Sequence, residues 1–191
     1  QYFTQGDLIL DKLSVLINIL IRLMMVYFMV EVFVVPDDPR FAQKAIPLRN
    51  LIVMLSFGLL FPALYFIKKW KRYPVWFDSL FLSIFWLDMA GNSFNLYDSF
   101  YYFDLIPHFF GPGALALVLI GAFKITALGS IGVASIVHIL LEAQEYYTDV
   151  WLGTVNVRGL FDTINDLLVG IAGSVLFMIA YLWLSRKKIN L

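Results

Sequence analysis

Apolar positions along the chain fall into six long blocks separated by short polar breaks. A helix that crosses a bilayer needs about 20 mostly apolar residues at 1.5 Å of rise each. Spans are accordingly predicted over 13–35, 48–67, 75–95, 103–123, 126–147 and 160–184. The first is too long for a signal-peptide core, lacks a small-x-small cleavage site and carries Arg22 and Glu31, so it reads as a retained span. No linker or low-complexity segment divides residues 1–191, which read as one integral membrane domain. The predicted fold class is all-α, a polytopic membrane helical bundle of about six transmembrane helices.

Composition agrees with the pattern. Of 191 residues, 61% are apolar and 15% charged, against roughly 45–50% and 25% for soluble domains. Aromatic residues reach 17%, as expected of a chain anchored at both interfaces. Fourteen basic and fourteen acidic residues cancel, which gives no reason to expect nucleic acid as a partner. The bilayer itself is the expected partner. Without cysteine there is no disulfide, thiolate ligand or cysteine nucleophile. With six spans, nine Lys and Arg fall on the side of both termini and four on the other. The positive-inside rule then predicts both termini in the cytoplasm and a multi-pass protein of the cell (inner, cytoplasmic) membrane.

The polar residues inside the spans are more informative. In that topology Asp88, Asp104, His108, His138, Glu142, Glu145, Asp162 and Asp166 all approach the outer face. By helical rise, His108 and Glu142 lie roughly 7–8 Å below the outer helix ends, Asp166 and Asp88 about 9–10 Å and His138 about 13 Å. Within each helix they recur at i,i+4: Asp88/Asn92, Asp104/His108, His138/Glu142 and Asp162/Asp166. Each pair therefore shares a face. A carboxylate turned to lipid costs about 2.5–3.5 kcal/mol or more, so these faces are expected to turn inward. Grouped carboxylates need compensation, by a divalent cation, by shared protons or by Arg22 or Arg158. Carboxylate and imidazole together suit zinc, manganese or iron.

The metal reading assigns His108, Glu142, Asp162, Asp166 and His138 as ligands. Glu145 or Asp104 would be the general base towards a metal-bound water. Plainer roles stand beside these: Asp104 and Asp162 as helix caps, Asn92 and Asn95 as interhelical hydrogen-bonding residues, and His138 as a structural histidine. Asp78 is expected to cap the third span, Asp98 and Asp149 to be solvated, and Glu31 to join the band or reach the interface. Gly111, Gly113, Gly129, Gly132, Gly170 and Gly173 predict close helix packing.

The order Asp104-x3-His108-Phe109, Glu142-x2-Glu145, Leu152-Gly153-Thr154 and Asp162-Thr163-x2-Asp166, with Gly173 behind it, resembles the YjdF-like family of small polytopic inner-membrane proteins. The resemblance covers roughly 97–175. It implies that Asp104, His108, Glu142, Glu145, Asp162 and Asp166 form one polar signature; His138 is not part of what it implies. The family has no established function and brings no reaction with it.

Three functions fit these observations. One is a metal-dependent enzyme acting on a lipid or isoprenoid substrate near the outer leaflet. A second is a non-catalytic subunit of a larger membrane complex, with other membrane subunits as partners. The third is a cation or proton conduit, which needs polar groups continuing to the cytoplasmic side.

Overall fold

The computed structural model describes the backbone of residues 5–42 and 44–189 and the side chains of 12–42 and 44–186. The described residues are mostly helical, with no strand among them: α1 (Gln5–Val34), α2 (Ile46–Ile52), α3 (Leu60–Ile67), α4 (Val75–Ser93), α5 (Leu96–Ser99), α6 (Leu105–Phe123), α7 (Ala127–Leu152) and α8 (Leu160–Ile189). The molecule is an all-α helical bundle. Among the described residues, five segments are long and apolar enough to cross a membrane: Lys12–Val34, Ile46–Ile67, Leu105–Phe123, Ala127–Leu152 and Leu160–Arg186.

The predicted span over 75–95 is the exception. It forms α4, which stops at Ser93, and it is not among the five. The reason is its position. From Phe77 to Ser93 no residue of α4 is exposed, because α1, α6 and the segment after α2 pack around it. A helix clad by other helices does not need a lipid-facing surface, so it can carry Asp78, Asp88 and Asn92.

Packing partners set the direction of each helix. Asn18 meets Asp78, and Phe28 packs on Met89 and Ala90, so α1 and α4 run parallel. Pairing of Phe77 with Gly121 and of Phe103 with Gly91 makes α6 antiparallel to α4. His108 faces His138, so α7 returns beside α6, and Phe109 on Phe177 sets α8 parallel to α6. The chain thus passes six times through the bundle, with α4 as an inner pass. Large apolar side chains such as Leu23, Tyr27, Leu140 and Leu168 point outward, at 59–61% exposure, as a bilayer requires.

The second predicted span is broken rather than continuous. Between α2 and α3 a π turn covers Val53–Phe57, a form frequent at functional or strained points in helices. Pro62 follows, and its missing N–H leaves the carbonyl of Gly58 without the usual helix donor. Arg22 supplies one from α1 through Nη1. Arg22 also donates from Nη2 to Asp78 Oδ2 at 2.7 Å, where Asn18 and Tyr73 donate as well, at 2.8 and 2.6 Å. Asp78 is therefore no helix cap: it is fully buried and ion-paired. The same contacts remove Arg22 from the acids at the opposite end of the bundle.

Candidate metal centre

The site forms where α6, α7 and α8 meet, at the end of the bundle that carries the 153–159 loop. Its first element is the start of α6. Asp104 precedes this helix but makes no side-chain cap. One helical turn on, His108 Nε2 lies 3.4 Å from Asp104 Oδ1. Pro112 removes the donor that would normally meet the His108 carbonyl, and the following Gly113 lets Phe177 of α8 press against α6.

The second element is the face of α7 that presents His138 and Glu142. Nε2 of His138 is 2.9 Å from His108 Nδ1. Glu142 Oε1 is 3.2 Å from His108 Nδ1 and 3.5 Å from His138 Nε2. The side chains of His138 and Glu142 are each 6% exposed. The three groups could hold one metal ion.

Helix α8 closes the site. Gly170 lies flat against the His138 ring, where a methyl group would overlap it. Gly173 lets α8 approach the backbone of Phe109. One turn before Gly170, Asp166 is 3% exposed and its Oδ1 has no hydrogen-bond donor. With Asp104 and His108 it makes a second group able to hold a metal ion.

Four of the five residues assigned as ligands from sequence, His108, His138, Glu142 and Asp166, thus converge. Asp162 does not join either group; its Oδ2 accepts from the Arg158 backbone N–H at 3.3 Å. Asp104, assigned as a general base, instead stands within ligand distance of the second group, with Arg158 Nη1 at 3.9 Å from its Oδ2. Glu145, the other assigned base, is half-buried on α7 and interacts electrostatically with Arg49 and Glu142.

Other members of the polar band have partners that spacing along one helix does not reveal. Asp88 takes both oxygens to Arg49 Nη2, at 2.8 and 2.7 Å, and accepts from Tyr97 at 2.9 Å. Glu31 pairs with Arg40 at 3.0 Å, outside the cluster. Asn92 donates within its own helix to the Asp88 carbonyl, and Asn95 sits in a left-handed turn beyond α4, so neither bridges helices. Gly132 contacts nothing that its lack of a side chain would admit. Asp98 pairs with Lys44 at 3.1 Å.

Asp149 is not merely solvated. It accepts from Thr154 Oγ1 at 2.6 Å and from the backbone N–H groups of Asn156 and Val157 at 2.8–2.9 Å. Gly153 takes the left-handed conformation that ends α7, with φ +67°. Together they fold the 153–159 loop back, so that Arg158 reaches Asp104. A Leu-Gly-Thr tripeptide starting three residues after an Asp was the available sequence signal for this turn.

The loop after α1 lies outside the spans. There Asp38 accepts from Arg40 through both its side chain and its backbone N–H. These bonds hold the Asp38 carboxyl down at about 2 and raise Arg40 above its ordinary value.

Among family models, curated proteins and solved structures, none matches this chain.

Proposed function

We propose that the chain is a divalent-metal-dependent membrane enzyme whose centre is built on His108, His138 and Glu142. The observation that carries this reading is the triangle of 2.9, 3.2 and 3.5 Å among His108 Nδ1, His138 Nε2 and Glu142 Oε1. A tetrahedral ion with ligands at about 2.0–2.1 Å has ligand–ligand edges of about 3.3 Å. Zinc, manganese and iron all accept this donor set. Three protein ligands leave a position for water, which such an ion acidifies into a nucleophile. Asp104 faces the other nitrogen of His108, so the general base in this reading is Glu145, one turn beyond Glu142.

A lipid or isoprenoid substrate is favoured by the surroundings. Tyr101, Tyr102, Trp151 and Phe161, at 71–84% exposure, ring the same end of the bundle, where interfacial aromatics would sit. Eleven of the fourteen Asp and Glu lie at this end, and ten of the fourteen Lys and Arg, Arg22 with Asp78 among them, at the other. The positive-inside rule then sets the basic end in the cytoplasm and the centre towards the outer leaflet of the cell membrane. We also assign the polar signature to the YjdF-like family, on its four sequence blocks alone. The conduit reading is less well supported: between the Arg22–Asp78 cluster and the centre the core holds Met25, Leu82 and Phe85.

The test is elemental analysis of the detergent-purified protein, wild type against Glu142→Gln. Stoichiometric zinc, manganese or iron is expected in wild type, and the variant should lose the ion that Glu142 holds. Absence of metal from both proteins would overturn the reading and favour a hydrogen-bonded subunit of a larger complex.

A further inference from the structure

His108 is the only group common to both potential ligand sets among the described residues, and it turns a different nitrogen to each. Nδ1 faces His138 and Glu142, while Nε2 faces Asp104 at 3.4 Å. The set on the Nε2 side is completed by Asp166 from α8, buried to 3% exposure with Oδ1 lacking any donor. A carboxylate in that condition at membrane depth is costly unless a cation meets it.

Resting on the metal reading above, we propose that the centre is dinuclear, with a second divalent ion held by Asp104, Asp166 and Nε2 of His108. The His108 ring bridges the two ions as an imidazolate, its remaining proton having left to solvent. Charge within the ligand sets favours two ions over one. With one ion and neutral His108, the carboxylates of Glu142, Asp104 and Asp166 outweigh the metal by one negative charge, which only the part-exposed Arg158, 3.9 Å from Asp104, offsets. With two ions, the three carboxylates and the imidazolate balance four positive charges, and a neutral cluster is what a low-dielectric site tolerates best. Arg158, 3.9 Å from Asp104, then lies at the rim, beside the second ion's ligand.

The experiment uses the full chain in detergent, stripped with a chelator and re-equilibrated with Zn²⁺ alone, with bound zinc counted per chain. Two ions are expected in wild type, one in His138→Gln and one in Asp166→Asn. Asp166→Glu keeps the carboxylate and should retain both. If Asp166→Asn fails to fold, Asp104→Asn reads the same site from α6 and should also hold one. Loading with Cu²⁺ adds an independent signature, since two ions sharing one imidazolate are magnetically coupled and a lone ion is not. One zinc in wild type, indifferent to both Asp104→Asn and Asp166→Asn, would overturn the second site and leave the single-ion centre standing. No zinc in any of these proteins would overturn both.

Discussion

His108 and His138 meet across the α6–α7 interface with Nδ1 and Nε2 2.9 Å apart, and Glu142 lies within 3.5 Å of both. Two imidazole lone pairs repel at that distance, so either a proton or a cation lies between them. The proposed ion resolves the contact by using both lone pairs at once. It also explains why neither ring needs a backbone partner on that side.

Metal binding should therefore fail in acid. Both rings must be unprotonated to act as ligands, so protons compete with the ion as pH falls. Zinc affinity measured in detergent should fall at least about tenfold between pH 7.5 and 5.5. Equal affinity at the two pH values would exclude His108 and His138 as ligands.

Gly170 and Gly132 make a matched pair of substitutions. Gly170→Ala places a methyl on the His138 ring and should displace it, reducing metal affinity at least tenfold. Gly132→Ala meets open space on the same helical system and should be neutral or stabilise by about 0.5–1 kcal/mol. Isothermal titration and thermal unfolding separate the two effects. Unchanged metal binding in Gly170→Ala would mean that His138 is free to move away without loss, against its role as a ligand.

The Arg22–Asp78 pair is a stability element at the opposite end of the bundle. Asp78 is fully buried, while the Arg22 side chain retains 28% exposure. Removing one partner strands the other, so Asp78→Ala should destabilise by about 3–5 kcal/mol. Substituting both with apolar residues should recover much of that loss. Thermal unfolding of the two single variants and the double variant gives the coupling, and strict additivity would count against the pair.

Asp38 should titrate near 2, against an ordinary value of 3.8. The Arg40 hydrogen bonds favour its charged form, so the folded state binds this proton less tightly than the unfolded one. Its contribution to stability is complete above the unfolded value and is lost as pH falls through about 2. Carboxyl-carbon NMR would follow it directly. Substituting Arg40 with Ala should return the midpoint towards 3.8, and a midpoint already there in wild type would show that the ion pair does not form.

Much of this architecture was legible from hydropathy. Five of the predicted spans coincide with helices that can cross a membrane, to within a few residues at most ends. Bilayer thickness and the need to satisfy backbone hydrogen bonds fix length and helicity with no reference to neighbours. The i,i+4 spacings likewise place Asp104 with His108 and His138 with Glu142, because one helical turn is a local constraint. Those four residues do meet.

Partner choice between helices was not local, and there tertiary structure decided. Nothing in the spacing of Asp88 indicates that Arg49, thirty-nine residues earlier, takes its charge. Nor does it show that Arg22 serves Asp78 and the carbonyl freed by Pro62. The polar character of α4 follows from enclosure by its neighbours. Asp162 and Asp166 share a face of α8, yet only Asp166 lies where α6 and α7 can reach it. A helix sequence carries its own period and its own cost of exposure to lipid; which charge answers which depends on how six helical passes rotate against one another, and that is set by packing.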